Sequence, residues 1–127
     1  MRYTEDGALP EVTDEMLERA LHAVRPYTIV ILKAGPKFEM PGPDRGSEVS
    51  QTIWRHGKRN FALHSAGLMP IVCPVADGSG ITGVSVFDAD PDEVHRIMSE
   101  DPGVKAEIFT YEVHPTRSFP GSALPPS

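Results

Sequence analysis

Cysteine is almost missing from this chain. Cys73 is the only one among 127 residues, so no internal disulfide can form, and a reducing, cytoplasmic setting is expected. Long apolar runs are missing too: nothing approaches the roughly 20 consecutive apolar residues of a membrane helix. The opening "MRYTEDGALPEVTDEM" carries acids where a secretory signal needs an apolar segment. No membrane partner is expected. Positive charge is scarce, with 12 Lys and Arg against 18 Asp and Glu and a formal net charge of −6. Such a balance disfavours a phosphate backbone, so no nucleic-acid partner is expected either. Gly78-Ser79-Gly80 is a turn with no helix after it, which excludes a phosphate loop, and G-x-S-x-G is absent. His-x-x-x-His is absent as well. His56 and His64 stand eight positions apart, too far to chelate one ion without a third group, and no metal or cofactor is expected.

What is present fits one domain with a modest core. Proline is plentiful, 13 residues gathered chiefly at Pro36 to Pro43 and Pro115 to Pro126, which marks one long loop and an extended tail. Residues 1–12 read as a loosely docked arm. From Asp14 to Arg25, Met16, Leu17, Ala20, Leu21 and Val24 recur at helical spacing behind Thr13 as N-cap, and Pro26 ends the helix. "YTIVILKA" is a strand too apolar to alternate. "GPKFEMPGPDRGS" is a loop long enough for a lid or binding loop, or else an inert excursion. A second helix capped by Ser47 or Ser50 runs to about Ala66, closed by a left-handed Gly67. "LMPIVCPV" is an edge or bent strand because of Pro70 and Pro74. "ITGVSVFD" pairs with it as a hairpin. Asp90, Pro91 and Glu93 start a third helix with a buried stripe of Val94, Ile97 and Met98. "VKAEIFTYEVHP" alternates as the last strand.

After the N-terminal helix the order is strand, helix, strand, strand, helix, strand: an α+β, ferredoxin-like β-α-β-β-α-β fold. Its two helices cover one sheet face, and the other is left bare, so a homodimer is expected to cover it. The expected divisions are an arm and helix over 1–26, the ferredoxin-fold domain over 27–117, and a proline-rich tail over 118–127.

The second helix poses the functional question. On a helical wheel Val49, Ile53, His56, Asn60 and Leu63 share one stripe, His64 and Gly57 border it, and Trp54 and Phe61 widen the uncharged side. Gln51, Arg55, Lys58 and Arg59 form the wet face. His56 therefore faces the sheet or a cavity beside it, and a buried imidazole needs a partner, since an unpaired one costs about 1–3 kcal/mol. It is either a packing residue bonded to a carbonyl or a group that handles protons with a ligand. Cys73 reads as a small buried strand residue rather than a nucleophile.

Several of these segments resemble the YCII-related family. "YTIVILKAGP", His56 with Gly67 eleven positions on, and Cys73-Pro74 in place of a Gly-Pro pair carry the first half. Phe87-Asp88, Asp101-Pro102, Val104, Ala106 and Glu112 to Pro115 carry the second, with Glu107 where the family has a glycine. The resemblance spans about residues 27–117. It implies a dimeric α+β barrel of two ferredoxin-like subunits and a cavity between sheet and helices. It also implies a functional histidine, matched by His56, with an acidic partner. The family's acid often precedes the glycine, where this chain has His64, Ser65 and Ala66, so Asp88 or Asp101 takes that place, Asp88 slightly ahead. A relative, chloromuconolactone dehalogenase, eliminates halide from a lactone without metal or organic cofactor.

Two functions follow. One is a cofactor-independent small-molecule enzyme of lyase or isomerase type, performing elimination, dehydration or cyclisation. There His56 moves the proton, Asp88 or Asp101 orients it, and Trp54, Asn60, Phe61 and His64 contact the substrate. Lys37, Arg45 or Arg55 would meet a substrate carboxylate, and loop 35–46 would close over the site. The other is a non-catalytic small-molecule-binding or assembly protein with a structural His56. An open cavity touching His56 favours the first, and a filled interior the second.

Overall fold

The structure, a computed structural model of the chain, describes residues 7–126. Of the arm expected over residues 1–12, residues 1–6 lie outside the described residues, as does Ser127 at the end of the tail. Eight elements follow in order: α1 (Asp14–His22), β1 (Arg25–Ala34), α2 (Glu48–Ser65), β2 (Ile71–Pro74), β3 (Ile81–Phe87), α3 (Pro91–Ser99), α4 (Pro102–Lys105) and β4 (Phe109–Ser118). The strands form one sheet in the order β2-β3-β1-β4, every neighbouring pair antiparallel. The mixed α+β class and the strand–helix–strand–strand–helix–strand order are those read from the sequence, with α4 inserted before the last strand.

Local chemistry explains the boundaries. Ser47, not Ser50, caps α2, its side chain accepting from the Ser50 amide at 3.0 Å. Gly67 at φ 81° terminates that helix, and the Leu68 and Met69 amides fold back onto the Leu63 carbonyl. Asp90 caps α3 by accepting from the Glu93 amide at 2.8 Å, with Pro91 in the first turn. β2 is an edge strand of four residues, as its two prolines require.

Two expectations are corrected. α1 stops at His22, and none of its residues is buried: Met16, Leu17 and Leu21 are each about half exposed, so no described residue covers its apolar stripe. The last strand does not begin at Val104. Residues 102–105 coil into α4, and β4 starts at Phe109 and runs past Pro115 to Ser118. Between them Glu107 takes a left-handed backbone, φ 62°, a conformation that favours the glycine the resemblance leads one to expect there.

The core lies between the sheet and α2, α3 and α4. Thr28, Val30 and Leu32 of β1, Phe87 of β3 and Phe109 of β4 meet Val94, Ile97 and Met98 of α3. Alternation puts Ile29 and Ile31 on the opposite face, in register with Val86 and Val84 of β3. Those in turn face Ile71 and Cys73 of β2. Among the described residues α2, α3 and α4 all pack on the other face, the one that carries Val30 and Leu32. Glu112 and His114 of β4 lie beside the two isoleucines on it.

Candidate functional site

Between α2, loop 35–46 and the β2–β3 hairpin lies an open cavity of about 500 Å³. Leu32 and Phe109 contribute from the sheet, and Phe38, Met40 and Pro41 from the loop. α2 presents Ile53, His56, Asn60 and Phe61. The wall is overwhelmingly apolar. Cys73 aside, the lining residues with polar side chains are His56, Asn60 and Thr82, and none is Lys, Arg, Asp or Glu among the described residues. The Thr82 hydroxyl is buried and has no hydrogen-bond partner.

His56 is 8% exposed, on the stripe of α2 that meets the core. Its ring lies 4.7 Å from that of Phe109, centroid to centroid. Nδ1 sits 2.8 Å from Oδ1 and 2.9 Å from Oδ2 of Asp101, whose exposure is 0%. Asp101 is there because the chain turns after α3 and restarts as α4: it is the N-cap, with Pro102 following. Oδ2 accepts from the Gly103 and Val104 amides at 2.9 and 3.2 Å. A carboxylate only accepts, so Nδ1 carries the proton. Nε2 takes its hydrogen bond from the Asn60 amide, Nδ2 at 3.2 Å. The ring is held at both ends, with Nε2 turned toward Asn60 and the cavity.

Arg59 completes the cluster. Its guanidinium Nη1 is 3.8 Å from Asp101 Oδ1, an ion-pair distance, and is buried without a hydrogen-bond partner. The helical wheel set Arg59 on the wet face. Its Cα is there, but the long stem carries the charged head around α2 to the buried acid.

The other candidates are placed elsewhere. Asp88 is exposed and paired at 3.9 Å with Arg25, away from the cavity wall. His64 is exposed and bonded through Nδ1 to the Met69 carbonyl at 3.0 Å, bracing the end of α2. Trp54 is outside the cavity, its ring 4.1 Å from the Arg45 guanidinium. That contact and the Gly42 amide on Ser50 Oγ at 3.4 Å fasten loop 35–46 to α2. Lys37 pairs with Glu107 at 3.0 Å and Arg55 bonds to Thr52 at 2.9 Å, and none of Lys37, Arg45 and Arg55 lines the cavity. The Asp101 link spans 45 residues of sequence, and a single sequence held no signal that separated it from a simple cap. Among the described residues no three His, Cys, Asp or Glu side chains converge on a metal position, and no helix is long and apolar enough to cross a membrane.

No protein-family model matches the sequence, and none of the curated proteins compared with it does. Among solved structures the chain is similar to 5-chloro-2-hydroxyhydroquinone dehydrochlorinase from Burkholderia phenoliruptrix AC1100, in complex with 2,5-dihydroxybenzoquinone. The two are 22% identical over 69% of this chain and 90% of that one, with a TM-score of 0.38. That likeness is too distant to bear on the chemistry of this chain.

Proposed function

We propose that this protein is a small-molecule enzyme of the lyase or isomerase type, using His56 as general base in an apolar cavity. One observation carries the reading. The imidazole is fixed as the Nδ1–H tautomer by a fully buried carboxylate, which leaves Nε2 as a hydrogen-bond acceptor beside an open cavity. A packing histidine needs one partner, and a cavity of this volume is not needed to house it. Asp101 orients the ring and stabilises the imidazolium that forms when Nε2 takes a proton. Loop 35–46 forms one wall, so its movement would admit ligand and exclude water.

The same reading covers the bare sheet face with a second copy, giving the dimeric α+β barrel implied by the YCII-related resemblance. Ile29, Ile31, Ile71, Val84 and Val86 on one face support it, since a sheet face of this kind is normally packed. Sedimentation of the protein should give twice the chain mass.

The base is tested without knowing the substrate. Opening of 5-nitrobenzisoxazole requires only a base in apolar surroundings and is followed by colour. Wild type should exceed buffer, with a rate that falls at acid pH. His56→Ala should lose about 10²–10⁴-fold when assayed at a temperature where circular dichroism shows it folded, since taking away the buried partner of Asp101 also lowers its unfolding midpoint. Equal rates in both proteins would sink the proposal.

A further inference from the structure

The cavity's polar groups are few enough to define what it accepts. We infer that its substrate is an uncharged carbonyl compound with an apolar body and an acidic hydrogen on the carbon next to the carbonyl. In that complex Asn60 holds the oxygen while His56 takes the proton. This rests on His56 being the base, and adds to it a substrate class and a catalytic role for Asn60.

No Lys, Arg, Asp or Glu among the described residues lines the wall. A carboxylate or phosphate entering would give up water for apolar contacts and no cation, which is strongly unfavourable. Arg59, the nearby cation, faces Asp101 and does not line the cavity.

The two hydrogen-bonding side chains narrow the class further. In the empty site Asn60 Nδ2–H is spent on Nε2. Any molecule that offers a proton to Nε2 displaces that bond, and the freed amide donor then needs an acceptor of its own. The ligand must therefore carry a removable hydrogen and an acceptor oxygen close together. Nε2 and Nδ2 are 3.2 Å apart. In H–C–C=O the carbon and oxygen to be met are about 2.4 Å apart from the standard bond lengths, a spacing two neighbouring nitrogens can straddle. A hydrocarbon leaves Asn60 unpaired, and a ligand with distant functional groups reaches only one of the two.

The step balances. The C–H bond breaks and its proton goes to Nε2, giving an imidazolium that keeps its Nδ1–H on the Asp101 carboxylate. The C–H pair becomes the new C=C bond, and the carbonyl π pair moves to the oxygen, where Asn60 N–H meets the developing charge. The enolate then collapses by taking a proton at another carbon or by expelling a group from the adjacent carbon as the carbonyl re-forms.

The experiment uses 2-indanone, a neutral apolar ketone, in D2O with the full-length protein. Proton NMR follows loss of the α-hydrogen signal, and saturation transfer reports binding of the ketone and of indane-2-carboxylate. Wild type should exchange the ketone faster than buffer and bind it at least tenfold more tightly than the carboxylate. Asn60→Ala, a favourable helix substitution, should cut exchange by about 10²-fold with an unchanged unfolding midpoint. Binding of the carboxylate as tight as the ketone overturns the substrate class, and so does full exchange by Asn60→Ala. If 5-nitrobenzisoxazole is opened in a His56-dependent manner yet 2-indanone is neither bound nor exchanged, the class fails and the base stands. If neither reaction depends on His56, the base itself fails.

Discussion

Replacing Asp101 by Asn separates the electrical work of this side chain from its structural work. The carboxylate accepts from two backbone amides and from the imidazole, and faces the Arg59 guanidinium at the ion-pair distance of 3.8 Å. An amide of the same shape keeps Oδ1 for Gly103 and Val104, so the cap of α4 survives. What goes is charge assistance, which roughly doubles the worth of a hydrogen bond, and the loss should come to about 2–3 kcal/mol. Asp101→Ala forfeits the cap as well and strands a buried imidazole N–H and a guanidinium, so about 3–5 kcal/mol is expected. The chemical effect of Asp101→Asn is sharper. Its new N–H2 faces Nδ1, which must then accept, and the imidazole proton moves to Nε2. The nitrogen toward the cavity becomes a donor, and base activity should fall about 10²–10⁴-fold, or about 3–5 kcal/mol in the barrier. Nitrogen-15 NMR of the histidine reads the tautomer directly, and 5-nitrobenzisoxazole reads the rate. An Asp101→Asn protein that keeps Nδ1 protonated and reacts within twofold of wild type refutes the reasoning.

Arg59→Met should leave Asp101 with less opposing charge, so the acid limb of the pH–rate profile moves to higher pH while Arg59→Lys restores it; identical profiles for all three would assign Arg59 to packing. On the open sheet face, hydrogen bonds from Lys33 and then His114 hold the Glu112 carboxyl below its ordinary value of 4.5. Its stabilising contribution is thus complete above the unfolded value and fades as pH falls through the lower folded one. Lys33→Met should raise the titration midpoint of Glu112 seen by carbon-13 NMR and shrink the stability that is lost on acidification, because less of it rests on this carboxylate. A methyl on Gly103 would lie 2.5 Å from Phe109 Cδ2, so Gly103→Ala should displace the ring that packs on His56 and cost about 1–3 kcal/mol in urea unfolding.

The sequence carried the sheet order's raw material because its signals are local. Asp90-Pro91, Gly67 and the prolines around β2 each act within a few residues, and each element starts or stops where they stand. His56 was visible for the same reason, since helical periodicity places it among Val49 and Ile53. Its partner was not, because Asp101-Pro102 looks like a cap and is one. The second contact exists only when α3 and α4 bring residue 101 beside α2. Asp88 looked slightly better and ended beside Arg25. Arg59 was misplaced because a wheel locates Cα atoms, and this side chain is long enough to leave its own face. Periodicity found α1 and its Thr13 cap but carried the helix three residues past its end at His22.

The two rims of the sheet decide how this molecule associates. One rim is β2, a mere four residues bracketed by Pro70 and Pro74, and the other is β4, interrupted by Pro115 and studded with Glu112, His114 and Arg117. Strands built like these resist sideways recruitment of further chains. Pairing through the flat of the sheet, as proposed above, would use that surface up, so growth would halt at a closed pair and not run on into fibres.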